Sequence, residues 1–230
     1  MTGHDGRGRL LRGTVTDDDP DPDPDDPRTV GVGPHPNPWP TDDPLDPELL
    51  ARGDRRNVVD RYRYWRVEAI VADLDRRRHP FEIAIENFER DANIGAIVRS
   101  ANAFGAAAVH VVGRRRWNRR GAMMTERYQH VHHHDGLEGL LEHAAARRLP
   151  LYGVDNLPGA VALASAELPR ACLLVFGQEG PGLSEAARAA AVAVLAIPQY
   201  GSTRSINASA AAAIAMHEWC RRHAQVEPGA

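Results

Sequence analysis

The residues most suited to chemistry lie in three stretches rich in glycine, serine and asparagine. The longest, residues 197–218, reads IPQYGSTRSINASAAAAIAMHE. Its first half favours a loop, because Pro198 and Gly201 break regular structure and its Ser, Thr and Asn side chains hydrogen-bond nearby backbone. Its second half, residues 208–219, consists mostly of small helix formers. A polar loop that leads into a helix N-terminus can bind a small polar ligand.

Two further stretches share this composition. Residues 86–106 read ENFERDANIGAIVRSANAFGA, and residues 174–183 read LVFGQEGPGL. The glycines of the second stretch, Gly177, Gly180 and Gly182, form a GxxGxG pattern and not the GxGxxG pattern of dinucleotide sites. A nucleotide-dependent oxidoreductase is therefore the disfavoured alternative.

A basic segment, residues 114–134, combines arginines with Trp117 and Tyr128. Arginine pairs with phosphates and aromatic rings stack on bases, so this mixture indicates contact with RNA. A solvated loop that merely lacks acidic residues is the alternative that composition leaves open. The side chains predicted to bind RNA are Arg114, Arg115, Arg116, Arg119, Arg120 and Arg127.

Four histidines at the end of this segment raise the question of a metal site. They are His130, His132, His133 and His134. No second set of ligands with regular spacing accompanies them, so we predict no bound metal. We interpret them as a short strand with exposed imidazoles.

The elements that would position these residues alternate between strands and helices. Apolar runs predict strands at 81–87, 107–113, 151–155, 171–177 and 192–198, and helices at 57–78, 93–104, 136–148 and 208–219, with another starting at Ser184. Such strand–helix–strand units imply an α/β fold with a parallel sheet flanked by helices. Ligands bind at the carboxyl ends of such strands, so the three polar stretches are expected to form one site.

Composition predicts how the 230 residues are organised. Residues 1–54 are rich in Asp and Pro and poor in apolar residues, which predicts a disordered acidic tail before one domain at 55–230. Residues 1–50 carry a net charge of −8 and residues 51–230 a net charge of +5. Two cysteines without CxxC spacing, and no apolar run of membrane-spanning length, lead us to expect a soluble cytoplasmic protein.

The three polar stretches resemble the three motifs of the SpoU (TrmH-like) branch of the SPOUT RNA methyltransferases. The resemblance covers about residues 81–219, and the motifs occur in the family's order. The first motif has Asn93, Gly95 and Arg99, the second Glu179, and the third Ser205 and Asn207. The sequence departs mildly from the family pattern at Gln199, Ile206 and Ala208.

The resemblance implies a deep C-terminal trefoil knot, a homodimer and a bent S-adenosylmethionine as cofactor. It implies these cofactor-binding residues: Phe176, Gly177, Gly182, Ile197, Tyr200, Ser205, Ile206 and Asn207. Threading of the chain would favour Gly201 and small side chains at 208–213.

The reaction that the resemblance implies is methyl transfer from S-adenosylmethionine to a ribose 2′-hydroxyl of RNA, without a metal. The substrate is tRNA as first expectation and rRNA as second, and a catalytically silent knotted RNA-binding protein is a further alternative. The implied catalytic residues are Asn93, Arg99, Glu179, Ser205 and Asn207. Arg99 would act either as a base or as a donor that stabilises the developing alkoxide, since a protonated guanidinium has no acceptor.

Overall fold

The computed structural model describes residues 31–87, 93–178 and 180–225. The chain divides into two compact units, Met1–Arg66 and Val67–Ala230. Among the helices of the described ranges, none is long and apolar enough to cross a membrane.

In the first unit, helix α1 spans Pro47–Arg52. It begins at Asp46, whose carboxylate accepts hydrogen bonds from the amides of Glu48 (2.9 Å) and Leu49 (3.4 Å). The buried carboxylate of Asp54 then fixes the chain that follows. It accepts bonds from the backbone amides of Arg56 (3.0 Å) and Tyr64 (2.9 Å) and from Nη2 of Arg56 (2.7 Å).

Two expectations for this region were wrong. Residues 31–54 are not disordered, because α1 and the contacts of Asp54 order them; residues 1–30 of the predicted tail lie outside the described residues. Residues 57–78 do not form one helix. They form a 3-10 turn at Asp60–Tyr62 and helix α2 at Val67–Asp75. The interruption falls where Tyr64 takes a left-handed conformation with φ of 63°.

The second unit contains a seven-stranded sheet in which every neighbouring pair is parallel. This confirms the predicted α/β class. The strands are β1 His79–Asn87, β2 Ala106–Gly113, β3 Val131–His134, β4 Leu151–Val154, β5 Val161–Ala162, β6 Cys172–Phe176 and β7 Ala193–Ala196. Their order is β3-β2-β1-β6-β4-β7-β5. The two-residue β5 at one edge is too short to have been predicted from periodicity.

Helices cover both faces of this sheet. Helices α3 (Ile94–Ala103) and α6 (Ala208–His223) contribute to one apolar core, in which Trp219 is the largest fully buried side chain. Helices α4 (Leu137–Arg147) and α5 (Glu185–Ala190) contribute to the core on the other face. Side chains alternate between these cores along β6, as expected for a strand buried on both faces.

We predict that Asp54→Asn loosens residues 31–66. The substitution removes the charge that strengthens four hydrogen bonds to Arg56 and Tyr64, which should cost about 2 kcal/mol. Amide hydrogen exchange at Val32 and Tyr64 should then become about 30-fold faster. Asp60→Asn is the control, because the Asp60 side chain is 98% exposed. Equal exchange in Asp54→Asn and the wild type would contradict the assignment.

Candidate functional site

Because all strands are parallel, the loops that follow them meet at one edge of the sheet. The strand order sets the order of these loops. The basic segment after β2 comes first, then the segment between β1 and α3, and then the loops after β6, β4 and β7. The three predicted motif loops are thus brought to the same edge as the arginines.

A cavity of about 490 Å³ opens among the ends of β4, β6 and β7. Seven of the eight residues predicted to bind the cofactor line it: Phe176, Gly177, Gly182, Ile197, Ser205, Ile206 and Asn207. The eighth, Tyr200, is 96% exposed and is not part of the lining.

The loop after β6 forms one wall of this cavity, and its conformation requires glycine residues. A Cβ atom on Gly177 would lie 2.1 Å from the carbonyl carbon of Gly182 and 2.2 Å from the amide nitrogen of Leu183. Gly182 has φ of 73°, and its backbone exchanges hydrogen bonds of 3.1 and 3.0 Å with Gln178. The loop is therefore closed on itself at a spacing that no side chain allows. Glu179, a predicted catalytic residue, lies outside the described residues.

Gly201 does not show such a close approach. A Cβ atom built there would meet nothing within 4 Å. No close approach among the described residues accounts for the glycine that threading was expected to favour at this position.

The end of β4 contributes two side chains that were not predicted. Asp155 accepts a bond from the amide of Leu183 (2.9 Å), and Asn156 donates one to the carbonyl of Arg204 (3.2 Å). Both residues line the cavity and tie together the loops after β6 and β7. The available signal was an Asp-Asn pair directly after a predicted strand, which is the position where ligand sites form.

Asn207 connects the cavity to helix α3. Its Oδ1 caps α6 by accepting bonds from the amides of Ser209 (2.9 Å) and Ala210 (3.4 Å). Its Nδ2 donates to Oδ1 of Asn93 at 2.9 Å. Asn93 stands at the start of α3, but its side chain caps no amide there. Its side chain instead joins the first motif to the third.

Arg99 lies on the exposed side of α3. It makes no hydrogen bond or ion pair with any residue of the described ranges. Ser205 is also exposed, on the wall of the cavity. Arg99 does not line the cavity between β4, β6 and β7.

The basic segment after β2 forms a second cavity of about 490 Å³. Arg115, Trp117, Arg119 and Arg127 are among the residues that line it. The guanidinium carbon of Arg119 lies 5.8 Å from the centre of the Trp117 ring. The remaining predicted RNA-binding side chains are also exposed: Arg114, Arg116 and Arg120.

The basic segment is anchored on the first turn of α3. A Cβ atom on Gly95 would lie 2.7 Å from the amide nitrogen of Ala122, and one on Gly121 would lie 2.9 Å from that of Ala96. Two glycines are therefore needed for this contact between backbones. It holds the arginines beside the helix that carries Asn93 and Arg99.

The predicted histidine strand exists as β3, but its imidazoles are not uniformly exposed. His132 is exposed, whereas His134 is partly buried with Nε2 2.9 Å from Nδ1 of His110. None of the four histidines of the segment lines the cavity between β4, β6 and β7.

Two bacterial proteins are similar to this chain in sequence. The chain is 26% identical over 156 residues to the tRNA (guanosine(18)-2'-O)-methyltransferase of Escherichia coli K12, which covers 66% of this chain and 68% of that protein. An uncharacterized tRNA/rRNA methyltransferase of Mycolicibacterium vanbaalenii is 31% identical over 185 residues, 76% of this chain and 58% of that protein.

A solved structure is similar over the same part of the fold. The SpoU methyltransferase AviRb from Streptomyces viridochromogenes, in complex with AdoMet, superposes with a TM-score of 0.58 at 26% identity. The match covers 65% of this chain and 60% of the AviRb chain. The family model described as SpoU rRNA Methylase matches residues 80–217, more than half of the sequence. With its three motif loops gathered at one sheet edge, the chain belongs to the SpoU rRNA methylase family.

Proposed function

We propose that this protein transfers a methyl group from S-adenosylmethionine to a ribose 2′-hydroxyl of RNA. The observation that carries the proposal is the position of α3. Its N-terminus is bonded to the cavity through Asn93 and Asn207 and packed on the basic segment through Gly95. A methyl donor on one side and an RNA strand on the other would meet at this helix.

The cavity between β4, β6 and β7 suits S-adenosylmethionine in size and chemistry. Its volume of about 490 Å³ is typical of a small-ligand site. The glycine loop after β6 presents backbone rather than side chains, which lets a ligand approach closely. Gln199 lines the cavity, and its buried Oε1 has no hydrogen-bond partner among the described residues. A ligand donor would satisfy this acceptor.

We predict that Gly177→Ala weakens S-adenosylmethionine binding at least about tenfold. The added methyl group must push apart the backbone at Gly177 and Gly182, which changes the shape of the cavity wall. Isothermal titration calorimetry measures the effect. The matched control is Gly201→Ala, in the other glycine loop at a position with open space. Unchanged affinity in Gly177→Ala would remove this loop from the cofactor site.

In the proposed reaction, S-adenosylmethionine supplies a methyl group already activated by its sulfonium. As the oxygen–carbon bond forms, the carbon–sulfur bond would break to leave a neutral thioether, and the hydroxyl proton would pass to water, so the protein must align the ribose hydroxyl with that carbon and help it lose the proton. Arg99 is exposed on α3, so an RNA phosphate or the hydroxyl itself can reach its guanidinium. We propose that it stabilises the developing alkoxide as a charge-assisted donor. The hydrogen bond between Asn93 and Asn207 would hold α3, and hence Arg99, at a set distance from the donor.

We predict that Arg99→Ala lowers kcat for RNA methylation about 100-fold or more and leaves S-adenosylmethionine affinity within about twofold. The lost donor acts only as charge develops in the transition state. Transfer of tritiated methyl groups to tRNA, together with calorimetry of cofactor binding, gives both values.

Two other arginines serve as comparisons for Arg99. Arg119→Ala should raise KM for RNA with little change in kcat, because Arg119 lies with Trp117 in the basic cavity. Arg188→Ala, on the exposed surface of α5, should change neither value. Normal turnover in Arg99→Ala would exclude Arg99 from the mechanism.

We propose tRNA as the substrate, supported by the name of the Escherichia coli relative, with rRNA as the second candidate. Mapping 2′-O-methylated nucleosides by mass spectrometry in cells with and without the gene separates the two. A chain that binds RNA but restores no mark would instead be a catalytically silent binding protein.

We place the activity in the cytoplasm, a proposal consistent with the free thiols of Cys172 and Cys220.

We also propose a homodimer, while the trefoil knot stays a prediction. Large apolar side chains near the third motif are exposed, with Ile206 at 36% and Ile214 on α6 at 42%. Such side chains are typical of an interface when they lie close together.

We predict that light scattering gives about twice the chain mass of 25.2 kDa. Ile214→Arg should shift the protein toward that single-chain mass, because it places a charge in the apolar contact. Val192→Arg is the control, since Val192 is exposed outside α6. A monomeric wild type would refute the proposal.

A further inference from the structure

A buried polar cluster lies on the sheet face that carries α4, separate from the proposed methyl-transfer site. Glu82 of β1 and His110 of β2 are almost fully buried there, 1% and 0% exposed. Helix α4 adds His143 and Arg147. None of these residues lines the cavity between β4, β6 and β7.

Three potential ligand atoms converge in this cluster. Oε2 of Glu82 lies 2.8 Å from Nε2 of His110 and 2.7 Å from Nε2 of His143. All three atoms lie within 4.8 Å of one another. Two imidazole nitrogens and one carboxylate oxygen are a common zinc ligand set. In a tetrahedral zinc site, neighbouring ligand atoms are about 3.3 Å apart, so admitting an ion requires movements of roughly half an ångström.

The surrounding groups resemble those around known metal ligands. Nδ1 of His110 lies 2.9 Å from Nε2 of His134. His134 can therefore accept the Nδ1 proton of His110 when a metal ion takes the place of the Nε2 proton that faces Glu82. Arg147 contacts the other carboxylate oxygen, Oε1, with Nε at 3.0 Å, and so holds the carboxylate in place.

The cluster also has an entry path. A cavity of about 340 Å³ reaches it from the surface, and Glu82, His132, His143 and Arg147 are among the residues that line it. The His143 side chain is 25% exposed, so this ligand faces solvent. An ion bound here would keep one position open for water.

We propose that Glu82, His110 and His143 bind one divalent transition-metal ion of the Zn²⁺ type. The ion would join β1, β2 and α4 and so stabilise the fold at the sheet face opposite α3 and α6. The proposal reverses the expectation of no metal, and the histidine segment contributes through His134 rather than through direct ligation. It does not depend on the methyl-transfer proposal.

The test uses the full chain without an affinity tag, stripped of metal by a chelator and titrated with ZnCl₂ by calorimetry. We expect one Zn²⁺ per chain. His143→Ala should weaken binding at least about 100-fold, because loss of a direct ligand should exceed the 10- to 100-fold effect of an outer partner. Co²⁺ in place of Zn²⁺ should give the visible absorption of a four-coordinate site in the wild type and not in the variant.

The matched control is His133→Ala, on the same strand as His134 but bonded to the carbonyl of Gly113 at 2.6 Å. It should keep wild-type affinity. Thermal melting with and without ZnCl₂ tests the folded state: Zn²⁺ should raise Tm of the wild type and of His133→Ala, and not of His143→Ala or Glu82→Gln. No binding by the wild type, or equal affinity in His143→Ala and His133→Ala, would overturn the proposal.

Discussion

The common direction of all seven strands is the constraint on which the rest of the structure depends. Parallel strands cannot be joined by tight hairpins, so the chain must cross from one end of the sheet to the other between strands. The crossings place helices on both faces and bring every loop that follows a strand to one edge. Distant segments of the chain therefore meet there: Asn93 and Asn207 are 114 positions apart and share a hydrogen bond.

Two kinds of close contact fix the positions of the loops at this edge and so give the site a defined shape. Glycine pairs, Gly177 with Gly182 and Gly95 with Gly121, bring backbones together at distances that exclude a side chain. Polar side chains then tie the loops to each other, as Asp155 does for the amide of Leu183. The apolar cores on the two sheet faces extend to these contacts, through Ala122 on one face and Leu183 on the other.

Much of the second unit could be predicted because its signals are local. Apolar runs gave the class and most strands, and motif spacing gave the family, which the family model confirms. Contacts between distant residues were not predictable in this way. The pairing of Asp54 with Arg56 and Tyr64 orders a stretch whose composition indicated disorder. Glu82 and His110 fall in two separate predicted strands, and the parallel register of β1 and β2 brings them into contact.

The contact between Gly95 and Gly121 has a consequence for how substrate choice can change. The close approach is made by backbone atoms, whereas Ala122 beside Gly121 is buried in the apolar core. Arg115, Arg119 and Arg120 are exposed. The basic segment therefore combines a fixed backbone contact with exposed arginine side chains. The exposed arginines can be substituted one at a time while the contact between Gly95 and Gly121 keeps the segment at the same distance from Arg99.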